Sequence, residues 1–219
     1  MKVMLGVLAR ADRAQEPFLD RVLSIMSPAF DEVTIVDDGG RPIADYSAQR
    51  NRLIDIAERG GFDWMIQLDS DECMFPADID VVKAMMTPQN RLIVLPRIEL
   101  VRDFGHYDPS VYPDYQGRAF RLGIGYRFRR PLHEGLYRRF SPLSEMRLKR
   151  GARSDTTPIY HYGRVGETDR MLLKYHNYAL LAKGQAPVDE LPAGMDAGDR
   201  AHLFGEMTPF DGPHPLAGL

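Results

Sequence analysis

The chain has 219 residues, enough for one sizeable domain or one domain with an appended piece. Its 44% apolar and 27% charged content is that of a globular protein, and a formal net charge of −3 argues against general nucleic-acid binding, which wants a strongly basic face. No apolar run approaches the length of a membrane span, and the single cysteine, Cys73, rules out an internal disulfide and fits a reducing, cytoplasmic setting.

Residues 2–8 read as a first strand. The run VMLGVLA before Ala9-Arg10-Ala11 mimics a short signal peptide, but its charged lead-in is Lys2 alone and its apolar core is at the lower limit. Residues 17–26 read as a helix, with Phe18, Leu19, Val22, Leu23 and Met26 at helical spacing and Pro17 in the first turn. EVTIV, residues 32–36, is a short β-branched strand that ends in the turn signal Asp37-Asp38-Gly39-Gly40. Residues 47–59 form a second helix with Ser47 as N-cap, Leu53, Ile54 and Ala57 on one face and Gly60-Gly61 at its end. A strand over 64–68, a helix over 77–86 and a strand over 92–95 complete the series. Trp64 and Cys73 are assigned to packing.

Strand–helix alternation of this kind predicts an α/β fold with a mostly parallel sheet flanked by helices. The pattern changes near residue 100. Residues 103–116 look like a loop, residues 117–137 carry short alternating runs that suggest antiparallel strands, and residues 159–162 suggest another. Residues 168–183 read as a helix closed by Gly184, and the Pro- and Gly-rich stretch from 187 predicts an irregular tail, ordered only where it packs on something. The organisation expected is one domain with a first half over 1–100, a second half over 101–186 and a tail over 187–219.

Parallel sheets bind ligands at the carboxyl ends of their strands. Both acidic clusters, Asp37-Asp38 and Asp69-Ser70-Asp71-Glu72, fall at such ends. Carboxylates gathered at the end of a buried strand repel one another unless something positive sits among them. In an extended segment Asp69 and Asp71 point the same way, their Cα atoms roughly 7 Å apart. Two carboxylates so spaced can share a divalent cation, and hard oxygen ligands suit Mg²⁺ or Mn²⁺. The plainer reading is a strand end with solvated acids. Asp37-Asp38-Gly39 is either a simple turn or a strand end whose acid accepts a nucleobase N–H.

The order IVDDGG, SAQRNRLIDIA, WMIQLDSDE resembles the inverting family-2 glycosyltransferases of the GT-A fold. Those typically show V-D-D-G-S at a strand end, then a helix with A-R-N, then a strand ending in D-x-D. Here Gln49-Arg50-Asn51 stands in the middle element and Gly40 replaces the usual Ser. The likeness covers roughly residues 2–100. YPDYQGRAFR and the later PLHEG are similar to the acceptor half of lipopolysaccharide-type members. The resemblance implies a nucleotide-sugar donor (UDP-, GDP- or dTDP-linked), a saccharide or glycolipid acceptor met without a transmembrane segment, and Mn²⁺ or Mg²⁺. It implies that Asp37 or Asp38 contacts the base and that Arg10 and Arg50 lie near the nucleotide. Asp69 and Asp71 would hold the metal on the diphosphate, Asp71 more directly.

Inverting transfer needs a base for the acceptor hydroxyl. Glu134 and Asp114 are the candidates. The alternative for Glu134 is a salt bridge to Arg129, Arg130, Arg138 or Arg139, and Asp114 equally serves to position the acceptor or cap a turn. His161, in Tyr160-His161-Tyr162-Gly163, is either a third metal ligand, as in some GT-A enzymes, or a packed histidine; His133 is its rival. The basic-aromatic run over 126–130, with Arg118 and Arg121, either cradles an anion or forms a solvated strand face. Lys149, Arg150 and Arg153 suggest a loop that closes over the donor. Two other functions stay open: a haloacid-dehalogenase-like phosphatase with Asp69 as nucleophile, and a nucleotide-sugar-binding relative without turnover.

Overall fold

The structure, a computed structural model, describes residues 1–10, 16–37, 39, 41–142, 144–145, 151–166, 168–192 and 207–216. The first half runs β1 (Val3–Leu8), α1 (Leu19–Met26), β2 (Glu32–Val36), α2 (Tyr46–Arg59), β3 (Trp64–Asp69), β4 (Glu72–Cys73) and α3 (Pro76–Ala84). The second runs β5 (Leu92–Arg102), β6 (His106–Tyr107), β7 (Asp114–Arg121), β8 (Tyr126–Arg129), β9 (Gly135–Arg138), β10 (Ala152–Arg153), β11 (Ile159–Val165), α4 (Thr168–Ala182) and β12 (Thr208–Pro209).

The alternation yields an α/β fold on a mixed sheet. Strands β2, β1 and β3 pair in parallel, β7 lies antiparallel between β3 and β5, and β11 runs parallel to β5. Two antiparallel steps through β7 restore the direction, so β1, β2, β3, β5 and β11 all point the same way. The second half is therefore woven into the first rather than set beside it. Strand β3 is buried from Trp64 to Leu68 and apolar there except at Gln67, because helices cover both faces of the sheet. On one face Val3, Leu5, Val7, Trp64, Ile66 and Leu68 meet Leu19, Val22 and Met26 of α1 and Ile79 and Val82 of α3. On the other, Met4 and Met65 meet Leu53, Ile54 and Ala57 of α2, the face that the spacing predicts. Trp64 and Cys73 are buried in the first cluster.

Several local expectations change. The N-cap of α2 is Asp45, whose carboxylate accepts from the Ala48 N–H at 3.0 Å; Ser47 lies inside the helix and donates its hydroxyl to that same carboxylate. Strand β5 does not stop at Leu95 but continues through Pro96 to Arg102. Its outer side pairs with β10 at Ile93 and Val94 and with β11 from Arg97 onward. Pro96 sits between those stretches, where a missing N–H costs little. The loop over 103–116 holds β6 and the start of β7. The tail does pack where it is described: β12 pairs with β6, His214 stacks on Phe104 and Leu216 is buried.

Strands β8 and β9 form a separate hairpin outside the main sheet. It is tied down by Asn51 of α2, whose amide accepts from Phe128 N at 2.8 Å and donates to Phe128 O at 3.0 Å. The expected cost of Asn51→Leu is about 2 kcal/mol of stability, since both backbone groups of Phe128 lose their partner. Denaturant unfolding measures that loss, and amide exchange should speed up in β8 while β1 stays protected. Unchanged exchange at Phe128 would remove Asn51 as the anchor.

Candidate active site

The acidic stretch closes β3 beside the end of β1, where Ser70 N donates to Leu8 O at 2.9 Å. The chain then turns into β4, which pairs antiparallel with β11, setting Glu72 opposite His161 and Cys73 opposite Tyr160. The Tyr162 N–H also donates to Asp71 O at 2.8 Å. This backbone ladder brings a residue ninety positions away onto the acidic cluster. His161 Nε2 lies 3.3 Å from Asp71 Oδ1, and its Nδ1 lies 2.7 Å from Glu99 Oε2. Gly163 sits at the register shift of β11 that follows His161. A Cβ there would stand 2.6 Å from His161 Nε2 and 2.8 Å from Asp71 Oδ2, so only glycine admits the pair.

Cations divide the remaining carboxylates. Arg50, from α2, places Nη2 2.9 Å from Asp69 Oδ1 and pairs through Nε with Glu134. Arg118 reaches Asp69 at 3.2 Å and the buried Glu72 at 2.5 Å. Arg97 holds Asp114 at 2.6 Å. Lys174 of α4 donates to Asp71 Oδ2 at 3.1 Å. At Arg50, Arg97, Lys174, Asp69, Asp71 and His161 burial works against the charged form, yet the pairing wins. Asp69 stays below the ordinary carboxylate range because Arg50 and Arg118 outweigh its desolvation, and Asp71 stays well below it because Lys174 and His161 do. Desolvation would lower His161, but Glu99 and Asp71 hold it up at about 9. Glu16 is the exception. Burial, then the charge of Asp71, raise it, against hydrogen bonds from Ser70 Oγ and from Arg10 N at 2.9 Å.

All of these but the buried Glu72 line one cavity of about 880 Å³. It gathers Arg10, Arg50, Asp69, Asp71, Asp114, Glu134 and His161, with His133 at its wall. Asp37 does not line it; its carboxylate accepts from Gly39 N at 2.6 Å, the plain turn, and Asp38 lies outside the described residues. No family model matches the chain, and no curated protein matches it. The assignment therefore rests on geometry.

Glu134 does make a salt bridge, but with Arg50 from α2 rather than with the nearby arginines expected from the sequence. Only its Oε1 is engaged among the described residues, whereas Asp114 commits one oxygen to Arg97 and the other to the Gln116 amide at 2.8 Å. Arg127 pairs with Asp55 and Glu58, and Arg129 stacks on Tyr137, so these two belong to a strand face. Arg118 alone among the arginines of that set lines the cavity, joined by Phe128. Lys149 and Arg150 lie outside the described residues, and Arg153 pairs with Asp155 at the surface. Glu99 and Arg97 went unread, although they alternate with Ile98 and Leu100 in an otherwise apolar strand, a period-two signal. Lys174 went unread too, although Arg170, Lys174 and Tyr178 form a polar stripe at four-residue spacing.

Among the described residues no group of three or more His, Cys, Asp or Glu side chains is placed to hold a metal ion. The Asp71–His161 pair still fits a Mg²⁺ or Mn²⁺ ion. Adjacent ligands on an octahedral cation with bonds of about 2.1 Å stand roughly 3 Å apart, close to the 3.3 Å seen. Glu99 on Nδ1 is the outer carboxylate that orients a ligating histidine. Two protein ligands would leave the other positions of such an ion to oxygens from outside the chain, as is usual for Mg²⁺.

The raised His161 pKa has a consequence in the metal-free protein. A group raised from 6.5 to about 9 by folding contributes stability that is fully present below pH 6.5 and is lost as the pH rises through 9. The melting temperature should therefore fall over that window, and His161→Gln should flatten the fall. Gly163→Ala, by parting His161 from Asp71, should bring the His161 imidazole titration back toward 6.5, read by NMR. A wild-type melting temperature flat from 6.5 to 9 would contradict the buried imidazolium.

Proposed function

We propose that the protein is a metal-dependent inverting glycosyltransferase of GT-A type, similar to family 2, which moves a sugar from a nucleoside-diphosphate donor to a saccharide or glycolipid acceptor. The observation that carries this reading is the meeting of Asp71, from the D-x-D at the end of β3, with His161 from β11. It occurs in a cavity at the carboxyl ends of parallel strands, where such sheets bind ligands. The cavity volume suits a small-molecule site of nucleotide-sugar size.

Asp71 and His161 would hold Mn²⁺ or Mg²⁺, which supplies the Lewis acid that stabilises a departing diphosphate. Asp69, clamped by Arg50 and Arg118, shapes the cavity floor and keeps negative charge beside Asp71 without being free to move. Glu134 serves as the base. Arg50 fixes its Oε1 and leaves Oε2 to accept the acceptor hydroxyl's proton. Arg50 is almost fully covered, so it positions the two carboxylates instead of meeting the acceptor. Arg10, at the end of β1, reaches the same cavity and suits the nucleotide's charge. The phosphatase reading asks Asp69 to attack phosphorus, and two arginines on its oxygens oppose that.

Calorimetric titration of UDP, GDP, dTDP and CMP with Mn²⁺ and then with EDTA should find one nucleotide that binds only with metal. The near-isosteric Asp71→Asn should lose that binding while keeping its circular dichroism. No nucleotide binding to folded wild-type protein would sink the transferase reading. Glu134→Gln should bind the donor within a few-fold of wild type and lose transfer by about 100-fold or more, the usual range for a general base. Full transfer by Glu134→Gln would move the base elsewhere.

A further inference from the structure

We infer that Lys174 is a resident counter-ion of Asp71 that a divalent cation dislodges and that then grips the donor's diphosphate. This rests on the transferase reading and adds a phosphate-binding residue from a helix outside the three motifs that suggested it.

Lys174 projects from α4 between Arg170 and Tyr178, and all three line the cavity opposite the end of β3. Its ammonium takes Asp71 Oδ2, while His161 takes Oδ1, so the two cations sit on different oxygens of one carboxylate. An ammonium carries three donors and no acceptor. Among the described residues Asp71 alone accepts from it, and a quarter of its side-chain surface stays open, facing the cavity. Glu99 and Tyr178 stand close enough to bear on its charge. The four-carbon stem lets the head swing while its base stays packed on α4.

A divalent ion on Asp71 and His161 sets two positive charges against a third in a site shielded from water. The repulsion is relieved when a dianionic group arrives between them. A diphosphate is such a group, and Lys174, partly open, lines the cavity that would receive it. Lys174 therefore opposes metal alone and favours metal with diphosphate, which makes the two bind cooperatively. A purely structural lysine would not produce effects of opposite sign on the two ligands.

The test uses the full chain, Mn²⁺ and inorganic pyrophosphate. Mn²⁺ binding is read by electron paramagnetic resonance with and without pyrophosphate, in wild type, Lys174→Met and Lys174→Arg. Lys174→Met should bind Mn²⁺ alone about tenfold more tightly and pyrophosphate at saturating Mn²⁺ about tenfold more weakly, within the usual span of coupling between sites. Lys174→Arg, which keeps the charge, should restore most of both and guards against a folding defect in the first variant. If wild type binds Mn²⁺ and pyrophosphate together but Lys174→Met changes neither affinity, or weakens both alike, the inference falls and the transferase reading stands. If wild type binds no Mn²⁺ at all, both fall.

Discussion

Asp69, Asp71, Glu72 and Glu99 are held within one corner of the sheet, and the rest of the site depends on how their mutual repulsion is relieved. Arg50, Arg97, Arg118, Lys174 and His161 are placed among them from five different elements. Buried ion pairs of this kind are poor sources of stability, because desolvation offsets most of the attraction. Removing one partner is costly, however, since it strands a charge. The network therefore acts less as glue than as a set of mutual constraints that fix where each carboxylate points.

Those constraints reach the second half of the chain through α2. Arg50 joins Asp69 on β3 to Glu134 just before β9, and the adjacent Asn51 bonds both backbone groups of Phe128 in β8. Consecutive residues on one helix thus hold the candidate base and the hairpin that carries it. Phe128 closes the link by lying under the Arg50 guanidinium, 5.6 Å from its ring centre. A shift of α2 would move Asp69 and Glu134 together, which preserves their relation.

Much of the scaffold was legible because its signals are local. Apolar and β-branched runs placed β1 to β3, and the face of α2 follows from Leu53, Ile54 and Ala57. The D-x-D stood out because acids end a run that is buried on both sides. What stayed hidden depends on long-range pairing. Nothing near Pro96 tells that β10 and β11 pair on either side of it, nor that β7 will enter the sheet between β3 and β5. Asp45 and Ser47 are equally good caps by type, and the backbone decides between them. Glu99 and Lys174 carry ordinary alternation and stripe signals, and only the β5–β11 register and the placement of α4 turn those into partners of His161 and Asp71.

The two acids of the motif are not equivalent, and the difference explains why one chain can carry both a rigid cluster and an exchangeable site. Asp69 is held by two arginines, which keep their charge at any ordinary pH and offer fixed forked donors. Its partners do not leave. Asp71 is held by a lysine with an open side and by a histidine, the one cation here whose proton can be given up. On the proposed reading its partners give way to a metal, at the cost of one proton from His161 and a movement of Lys174. On that reading the first acid serves architecture and the second chemistry, and Gly163 leaves the room that the His161–Asp71 pair occupies.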